Sequence, residues 1–497
     1  MGAAMHQNGS DQFSSAMPQP RPGEWLLCDL DGTLIASDML DESFWAACTR
    51  TPSAPMLAAW ALATGGRSGL KARLSALAPC APAALPYRPA VLHLLESWRA
   101  AGGRCALVTA SDEGIARAIA DHLGLFDEVH GSAPGRNLKG MEKAEFILQH
   151  FGAEVTYAGD SPADLAVWDR VARALTVAAP AALRSRAEAL STDVHHIEAD
   201  APEAPPHRLP PLLRVLRPHQ WLKNLLVFLP MLAAHALTAG ALVQSLLAFV
   251  AFSLVASSVY VLNDLMDLAA DRAHPRKRHR PFASGALPLR TGLWLAPGLV
   301  LAGFALALLL GPLFLAVMAA YYALTTAYSF RLKRLAILDI CTLAGLYAMR
   351  VVAGGAATGI PLSAWLLAFT LFFFFSLAAV KRQAELVDNA AAGREVATGR
   401  GYRTEDLMLV SIMAVASGYL SVLVMALYVE SEAVQALYAT PQVLWGACGV
   451  LLYWLSRCVL LTHRGEMHDD PVVFALRDRT SQVCLLLILG LFTAGSL

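Results

Sequence analysis

The stretch 263–271, NDLMDLAAD, places three aspartates where an apolar segment, 246–262, comes to its end. Asp264, Asp267 and Asp271 are spaced by three and four residues, which puts them on one face of a helix. Carboxylates stacked in this way repel one another and are costly at a membrane boundary unless a cation joins them. Mg²⁺ suits the set, because it takes one or two carboxylates, keeps several waters and accepts phosphate oxygens. The stretch therefore predicts a magnesium site for a ligand that carries a diphosphate.

A basic run, 274–281 (HPRKRHRP), follows at once and adds cations suited to the remaining phosphate charge. The alternative is that the aspartates are a solvated helix end and that the lysines and arginines only set the orientation of the chain in the membrane. Such a topology signal needs no row of acids beside it. The pattern Asn-Asp-x-x-Asp-x-x-x-Asp, followed by Arg-Pro-x-x-Ser-Gly at 280–285, resembles the first aspartate motif of the UbiA superfamily of intramembrane transferases. The resemblance implies that the three aspartates are catalytic metal ligands and that Asn263, Lys277 and Arg280 bind the substrate.

Composition divides the chain in two. A length of 497 residues predicts more than one domain, and a formal net charge of zero gives no general attraction to nucleic acid. The hydrophobic content of 56% is uneven: up to about residue 205 the chain has the composition of a soluble α/β protein, and beyond about 220 that of a membrane protein. Residues 1–22 are polar, predict disorder and lack the apolar core of a signal peptide, so we expect the first domain to stay in the cytoplasm.

The second half predicts an all-α bundle of nine transmembrane helices. Lysines and arginines occupy the loops after segments two, four, six and eight, and none occupies the loops after one, three, five and seven. The positive-inside rule then predicts a cytoplasmic N-terminus, an outer C-terminus and cytoplasmic polar motifs, in a bacterial-type cytoplasmic membrane. The segments run approximately over 221–239, 244–263, 291–310, 312–330, 336–356, 362–380, 407–428, 441–461 and 480–497.

Ionisable residues in or beside these segments are further candidates for the site, because charge inside a bilayer is costly. Arg350 lies well inside segment five, where it either pairs structurally or binds phosphate. Tyr328 and Lys333 resemble the superfamily's Tyr…Lys-Arg motif, whose lysine faces the diphosphate. At the place of the second aspartate motif the chain instead has Lys381-Arg382-x-x-Glu385. Two leading cations suit a second anion, whereas the usual second carboxylate cluster would hold more metal.

One branch of the superfamily matches further. The patterns Arg-Pro-x-Gln-Trp-x-Lys-Asn at 217–224 and Asp-Pro…Leu-Arg-Asp-Arg at 470–479 resemble the decaprenyl-phosphate phosphoribosyltransferases. This resemblance covers about residues 210–497. It implies phosphoribosyl pyrophosphate, or another diphosphate donor, and a polyprenyl phosphate acceptor whose oxygen attacks the anomeric carbon while diphosphate leaves. At least one Mg²⁺ on the aspartates would neutralise the leaving group.

The first half contains an apolar strand that ends in Asp29-Leu30-Asp31-Gly32-Thr33. This resembles motif one of the haloacid dehalogenase superfamily, in which the first aspartate attacks phosphorus and the second is the general acid and base. The resemblance predicts a doubly wound α/β domain with its ligand groups at the carboxyl ends of parallel strands. Its other expected site residues are Thr109 and Lys143 for phosphate, with Lys139 as the substitute, and Asp160 and Asp164, which with Asp29 and Asp31 would hold one Mg²⁺.

Asp31 also separates two activities within that fold. P-type ATPases have lysine at this position and keep their aspartyl phosphate, so an aspartate predicts rapid hydrolysis and hence a phosphatase. The domains predicted from the sequence are a disordered tail at 1–22, the phosphatase at 23–198 with a helical cap at about 37–100, a stiff proline-rich linker at 199–211, and the transferase at 212–497. Cys28 and Cys105 are expected to be buried core residues.

The sequence thus predicts a bifunctional membrane enzyme that makes a polyprenyl-phosphoryl-phosphoribose and removes its 5-phosphate. One alternative is a UbiA-type prenyltransferase that moves an isoprenoid from its diphosphate to an aromatic acceptor. Another is a transporter or scaffold with a fused haloacid dehalogenase-like module. The expected partners are the lipid acceptor, the diphosphate donor and the bilayer, with no nucleic acid; a homo-oligomer is compatible with the sequence.

Overall fold

The computed structural model describes residues 18–78, 81–133, 136–198, 209–393, 400–467 and 470–496. These residues form two compact units. The first comprises the described residues up to Leu216 together with Tyr260–Leu295, and the second comprises Arg217–Val259 and the described residues from Ala296 onward. Most of the predicted tail (1–17) and of the predicted linker (199–208) lies outside the described residues. The domain boundaries stay a prediction.

A six-stranded, all-parallel sheet forms the centre of the first unit, with the strand order β3-β2-β1-β4-β5-β6. Its strands are β1 (Trp25–Cys28), β2 (Arg104–Asp112), β3 (Glu128–Ser132), β4 (Val155–Gly159), β5 (Arg173–Val177) and β6 (Val194–Ile197). Its helices are α1 (Met39–Arg50), α2 (Ala54–Leu77), α3 (Pro89–Ala100), α4 (Glu113–Leu123), α5 (Met141–His150), α6 (Leu165–Trp168) and α7 (Ala181–Leu190).

The central strand is buried on both faces, which is why its sequence is a continuous apolar run. Leu26 and Cys28 belong to a core cluster on one face, and Leu27 belongs to the cluster on the other. Cys105 lies in the same cluster as Cys28, and both are free and buried. The predictions of a doubly wound α/β domain and of two buried core cysteines are confirmed.

Two of the three helices in the predicted cap form a small core of their own. Buried alanines of α1 and α2 pack together with Leu74. Helix α3 instead packs on the sheet, because Leu94, Leu95 and Trp98 belong to the cluster that holds Leu26. The cap predicted over 37–100 is therefore not confirmed as a whole: its last helix is part of the sheet's core.

The rest of the chain is helical. Its shorter helices are α8 (Pro211–Val215), α9 (Leu229–Ala233), α11 (Leu268–Ala273), α17 (Glu432–Leu437) and α19 (Pro471–Arg477). The longer ones are α10 (Ala239–Met266), α12 (Leu289–Leu309), α13 (Pro312–Phe330), α14 (Leu338–Thr358), α15 (Ala364–Ala391), α16 (Leu407–Val429), α18 (Trp445–His463) and α20 (Arg479–Ser496).

Eight helices in the described residues are long and apolar enough to cross a membrane, so the chain is a multi-pass membrane protein. The predicted count of nine is not confirmed, because the first segment, 221–239, forms no long helix. A 3₁₀-helix over Pro218–Phe228 is followed there by the single short helix α9. Pro230, inside this segment, lacks the backbone N–H that a continuous helix through this position needs. An outer C-terminus would require this broken segment to complete a crossing.

The broken segment packs closely on α14. A Cβ built on Gly354 of α14 would lie 2.0 Å from the carbonyl oxygen of Val227, whereas Gly345 on the same helix has open space around it. Backbone at this distance cannot make room without moving. Glycine at position 354 is thus what lets the 3₁₀-helix lie against α14.

We expect Gly354→Ala to destabilise the protein in detergent or nanodiscs by about 1–3 kcal/mol, the usual cost of overpacking. Gly345→Ala is the matched control, since alanine has the higher helix propensity and meets no neighbour. Thermal unfolding of both variants is the measurement. Equal midpoints for the two variants would contradict the predicted contact.

Candidate functional site

The first unit gathers the predicted phosphatase residues around the carboxyl ends of neighbouring strands. Asp29 and Asp31 follow β1, Thr109 lies within β2, and Asp160 follows β4. Strands β1 and β4 flank the point where the strand order reverses, and open parallel sheets bind their ligands at that point.

Asp29 is held by one of its two carboxylate oxygens. Its Oδ1 accepts a hydrogen bond from the backbone N–H of Leu30 at 2.9 Å and lies 3.0 Å from Nζ of Lys143. Among the described residues, Oδ2 has no donor, as a nucleophile or a metal ligand requires. Lys143 is 3% exposed, whereas Lys139 is exposed, so the structure places the first-choice lysine at the site.

A buried tyrosine links this lysine to a second carboxylate. Lys143 donates to the hydroxyl of Tyr157 at 2.9 Å, and that hydroxyl donates to Oδ1 of Asp164 at 2.7 Å. Tyr157 was not among the site residues predicted from the sequence. The signal for Tyr157 was its place on β4, because Asp160, which directly follows this strand, was already a predicted site residue.

Three carboxylates are close enough to share one metal ion. Oxygens of Asp29, Asp160 and Asp164 lie within 4.8 Å of one another. Burial, and then the carboxylates of Asp29 and Asp164, raise the pKa of Asp160 to about 7. Hard carboxylate oxygens are the ligands that Mg²⁺ prefers, and the ion would offset this crowding of negative charge. Gly32 permits the approach, because a Cβ there would lie 2.1 Å from Oδ2 of Asp160.

Asp31 has a hydrogen-bond donor on each of its two carboxylate oxygens. Oδ1 accepts from the N–H of Met39 at 2.7 Å, and Oδ2 accepts from the hydroxyl of Ser111 at 2.6 Å. Burial and the charge of Asp38 raise the pKa of Asp31 to about 7, although the bond from Ser111 lowers it. A carboxyl with this pKa suits a group that both gives and takes a proton near neutral pH. Its carboxylate lies outside the three-residue metal group, and Ser111 was not among the predicted site residues.

The aspartate motif of the stretch 263–271 also lies in the first unit, and its helix is interrupted. Helix α10 ends at Met266, Asp267 is the N-cap of α11, and Asp271 belongs to that second helix. The single helical face expected from the spacing is therefore broken at Asp267. The N–H of Asp271 still donates to the carbonyl of Asp267 at 2.8 Å, so the acids stay on consecutive turns.

One arginine joins two of these acids. Nη1 of Arg280 lies 3.1 Å from Oδ1 of Asp264 and 2.6 Å from Oδ2 of Asp271, both of which are 2% exposed. The expectation that a cation must relieve the stacked carboxylates is met within the chain itself. Asn263 is half-buried and its carbonyl accepts from the N–H of Asp267, whereas Lys277 is exposed.

In the second unit the predicted lysine–arginine pair separates into two clusters. Arg382, 1% exposed, pairs with Asp339 and Glu385. The hydroxyl of Tyr328 donates to Oδ1 of Asp339 at 2.7 Å, and Nη1 of Arg400 lies 3.3 Å from the same oxygen. Two arginines thus face two carboxylates, so Arg382 is largely neutralised. Asp339 and Arg400 were not among the predicted site residues.

Lys381 joins a different cluster. Its Nζ lies 3.0 Å from Oδ2 of Asp470, and Nζ of Lys223 lies 2.8 Å from the same atom. Burial favours the protonated acid, but the two ammonium groups outweigh it and hold the pKa of Asp470 well below its usual range. Two lysines therefore share one carboxylate oxygen. Lys223 and Asp470 come from the two motifs that resemble the phosphoribosyltransferase branch.

Arg350 is 5% exposed and its contacts in the described residues are with neutral groups. Nε donates to Oδ1 of Asn224 at 2.8 Å, Nη2 donates to the hydroxyl of Tyr321 at 3.2 Å, and the guanidinium stacks on Tyr321 and Tyr347. Pairing with a carboxylate, one form of the structural alternative for Arg350, is thus not observed in the described residues, and the phosphate-binding alternative stays a prediction. Lys333 lies half-buried in the 3₁₀-helix Leu332–Arg334.

The fold, the carboxylate site of the first unit and the aspartate motif define a helical membrane protein with a doubly wound α/β domain that has a hydrolase-like site. The model of the UbiA prenyltransferase family matches residues 225–476, and that of the haloacid dehalogenase-like hydrolases matches residues 26–168. The first match spans about half of the chain. The chain belongs to the UbiA prenyltransferase family and has a haloacid dehalogenase-like domain at its N-terminus.

Three relatives are similar over long stretches. The uncharacterized protein y4nM of Sinorhizobium fredii is 39% identical over 460 residues, 92% of this chain and 88% of that protein. The nodulation protein NoeC of Azorhizobium caulinodans is 42% identical over 55% of this chain and 90% of its own. The decaprenyl-phosphate phosphoribosyltransferase of Mycolicibacterium smegmatis is 43% identical over 38% of this chain and 61% of its own, so this chain spans less than two thirds of that enzyme.

We expect Ser111→Ala to move the alkaline limb of the phosphatase pH profile to higher pH. The hydroxyl of Ser111 lowers the pKa of Asp31, so its loss raises that pKa further and the proton-donating form persists to higher pH. The measurement is kcat against pH with a soluble alkyl phosphate, whose leaving alkoxide needs a proton. Ser161→Ala is the control, since Ser161 donates to Asp164 and not to Asp31. An alkaline limb that stays in place in Ser111→Ala would contradict the assigned contact.

Proposed function

We propose that the transferase part moves phosphoribose from phosphoribosyl pyrophosphate to a polyprenyl phosphate, and that the phosphatase part removes the 5-phosphate of the product. The net result is a polyprenyl-phosphoryl-ribose, diphosphate and inorganic phosphate. Both steps act on phosphate groups, for which the chain carries several separate sets of carboxylates and cations.

The observation that carries the proposal is the cluster of Lys223, Lys381 and Asp470. Two ammonium groups share one carboxylate oxygen, so these three residues have one positive charge in excess. An anionic acceptor such as a lipid phosphate would supply the missing negative charge. An uncharged aromatic acceptor would not supply this charge. The position that in prenyl-diphosphate enzymes carries a second aspartate motif here provides Lys381, which favours the phosphate acceptor.

The donor is assigned to the aspartate motif. Mg²⁺ held by Asp264, Asp267 and Asp271 would neutralise the diphosphate that leaves. Arg280 bridges two of these acids and is placed to turn toward a phosphate oxygen when they bind metal. The acceptor's phosphate oxygen forms a bond to the anomeric carbon as the bond from that carbon to diphosphate breaks. A phosphate anion is already nucleophilic, so the step needs no general base.

The phosphatase step is assigned to Asp29 and Asp31. The free oxygen of Asp29 attacks phosphorus, and Asp31 gives its proton to the departing 5-oxygen of the sugar. Asp31 then takes a proton from the water that hydrolyses the aspartyl phosphate, which regenerates both acids. Lys143 and Thr109 would bind the phosphate oxygens, and Mg²⁺ on Asp29, Asp160 and Asp164 would offset their charge.

The similarities support the pairing of the two activities. One stretch of the chain resembles an enzyme named for phosphoribosyl transfer to decaprenyl phosphate. The Sinorhizobium relative is similar over nearly the full length, so the same fusion occurs in a second chain. We place both active sites on the cytoplasmic side, since the basic loops occupy that side under the positive-inside rule.

Membranes that contain the protein, polyprenyl phosphate and phosphoribosyl pyrophosphate labelled in the ribose should transfer label into the lipid phase when Mg²⁺ is present. We expect Asp267→Ala to lower this transfer by about 100-fold or more, because the charge that develops on the leaving diphosphate loses part of its stabilisation. Glu432→Ala, an exposed acid outside the motif, is the control. Lipid labelling from an isoprenyl diphosphate, with none from the ribose, would replace the proposal by the prenyltransferase alternative.

We expect Asp29→Asn to keep transferring label while its lipid product retains the 5-phosphate, because an amide oxygen is a poor nucleophile. The charge of the extracted lipid, measured by anion-exchange chromatography or mass spectrometry, reports the difference. Purified protein excludes other phosphatases. Fully dephosphorylated lipid from Asp29→Asn would remove the second activity from the proposal and leave the first intact.

A further inference from the structure

A buried ion pair connects the stretch that follows the aspartate motif with helix α1 of the hydrolase-like domain, and both lie in the first unit. Arg272 comes directly after Asp271. Its Nη2 lies 2.7 Å from Oε1 of Glu42, and its Nη1 donates to Oε2 of Glu42 at 3.0 Å. The side chains are only 10% and 9% exposed. Such a two-point pair fixes orientation as well as distance.

The same arginine makes two further hydrogen bonds. Nη1 donates to the carbonyl of Ala84 at 3.1 Å, and Nε donates to the carbonyl of Ala283 at 3.0 Å. Arg272 therefore closes the stretch 272–283 on itself and attaches it to two separate segments of the hydrolase-like domain. If Glu42 were removed, a buried charge would lose its carboxylate partner, which is costly.

A second contact involves backbone alone. Gly285 has a φ of +74°, and a Cβ there would lie 2.3 Å from the carbonyl oxygen of Ala36. Ala36 is itself fixed, because its N–H donates to the carbonyl of Pro86 at 2.8 Å. The backbone segments around Gly285 and Ala36 thus approach each other as closely as a residue without a side chain allows.

These contacts lie next to the proton-transfer residue of the phosphatase site. Ala36 comes five residues after Asp31, and Glu42 comes three residues after Met39, whose N–H donates to Asp31 at 2.7 Å. A shift of α1 would therefore alter a hydrogen bond to Asp31. The loop that follows the aspartate motif of the transferase thus contacts the segment that orients Asp31, the acid of the phosphatase.

We call these interactions the motif–hydrolase contact; its residues are Ala36, Glu42 and Ala84 on one side and Arg272, Ala283 and Gly285 on the other. We propose that this contact docks the phosphatase on the loop of the aspartate motif. The docked phosphatase is thereby directed to phosphate monoesters held on a membrane lipid at that loop. The inference rests on the proposed function. Docking converts the second step into an intramolecular one with a high effective concentration, whereas a linker alone would let the domain sample many positions.

The test uses the full-length protein in nanodiscs with Glu42→Arg, which sets two like charges against each other. We expect faster amide hydrogen exchange in α1 and around residues 282–286, and a several-fold larger fraction of lipid product that keeps its phosphate. Turnover of a soluble aryl phosphate, which needs no docking, should fall much less than removal of the lipid's phosphate, so the ratio of the two rates reports docking apart from any shift of Asp31. The double variant Glu42→Arg/Arg272→Glu should restore both properties. Glu96→Arg, a charge reversal at an exposed position, is the control.

The outcomes test separately whether the contact forms, whether it guides dephosphorylation of the lipid, and whether the proposed function holds. Unchanged exchange in Glu42→Arg would overturn the docking, and increased exchange with normal dephosphorylation of the lipid would overturn its role. If Glu42→Arg also loses aryl phosphatase activity, Arg272→Glu provides the same test from the other side of the contact. A wild-type protein that labels no lipid would refute the proposed function, and hydrogen exchange would still decide whether the contact forms.

Discussion

Compensation of buried like charges is the constraint on which both sites depend. In the phosphatase site Lys143 lies between Asp29 and Asp164, and in the aspartate motif Arg280 lies between Asp264 and Asp271. Burying such acids in the charged form without a cation is costly, and they would take up protons instead. Each site therefore has an internal cation in its folded state, and a metal ion or phosphate ligand must rearrange these pairs to bind.

In the second unit, buried cations are compensated by carboxylates. Arg382 is balanced by two carboxylates, whereas Lys381, its neighbour in sequence, shares a single carboxylate with Lys223. Adjacent residues on one helix point in different directions, and so they enter different electrostatic environments. Under the proposed function the lysine of the pair, and not the arginine, would bind the acceptor, because the arginine already has its counter-charges.

The sequence predicted what short motifs and apolar periodicity can encode. The strand that ends in Asp29 and the preference for Lys143 over Lys139 followed from local patterns. The contacts of Asp339 with Arg382 and Arg400 did not, because Asp339 lies on α14, far along the chain from both arginines, and only the fold brings them together. The broken first segment was also missed. Its hydropathy is that of a spanning helix, but Pro230 and its close packing on Gly354 decide its conformation.

The ion pair between Lys223 and Asp470 has a consequence for the order in which the protein matures during synthesis. Its partners are 247 residues apart, and Asp470 directly precedes the last two helices. The phosphatase residues, in contrast, are all made before residue 165. A ribosome-bound chain can thus complete its hydrolase-like domain early, while the cluster of Lys223, Lys381 and Asp470 forms only once nearly the whole polypeptide has emerged. Under the proposed function, unfinished chains in the membrane would not compete for the lipid acceptor.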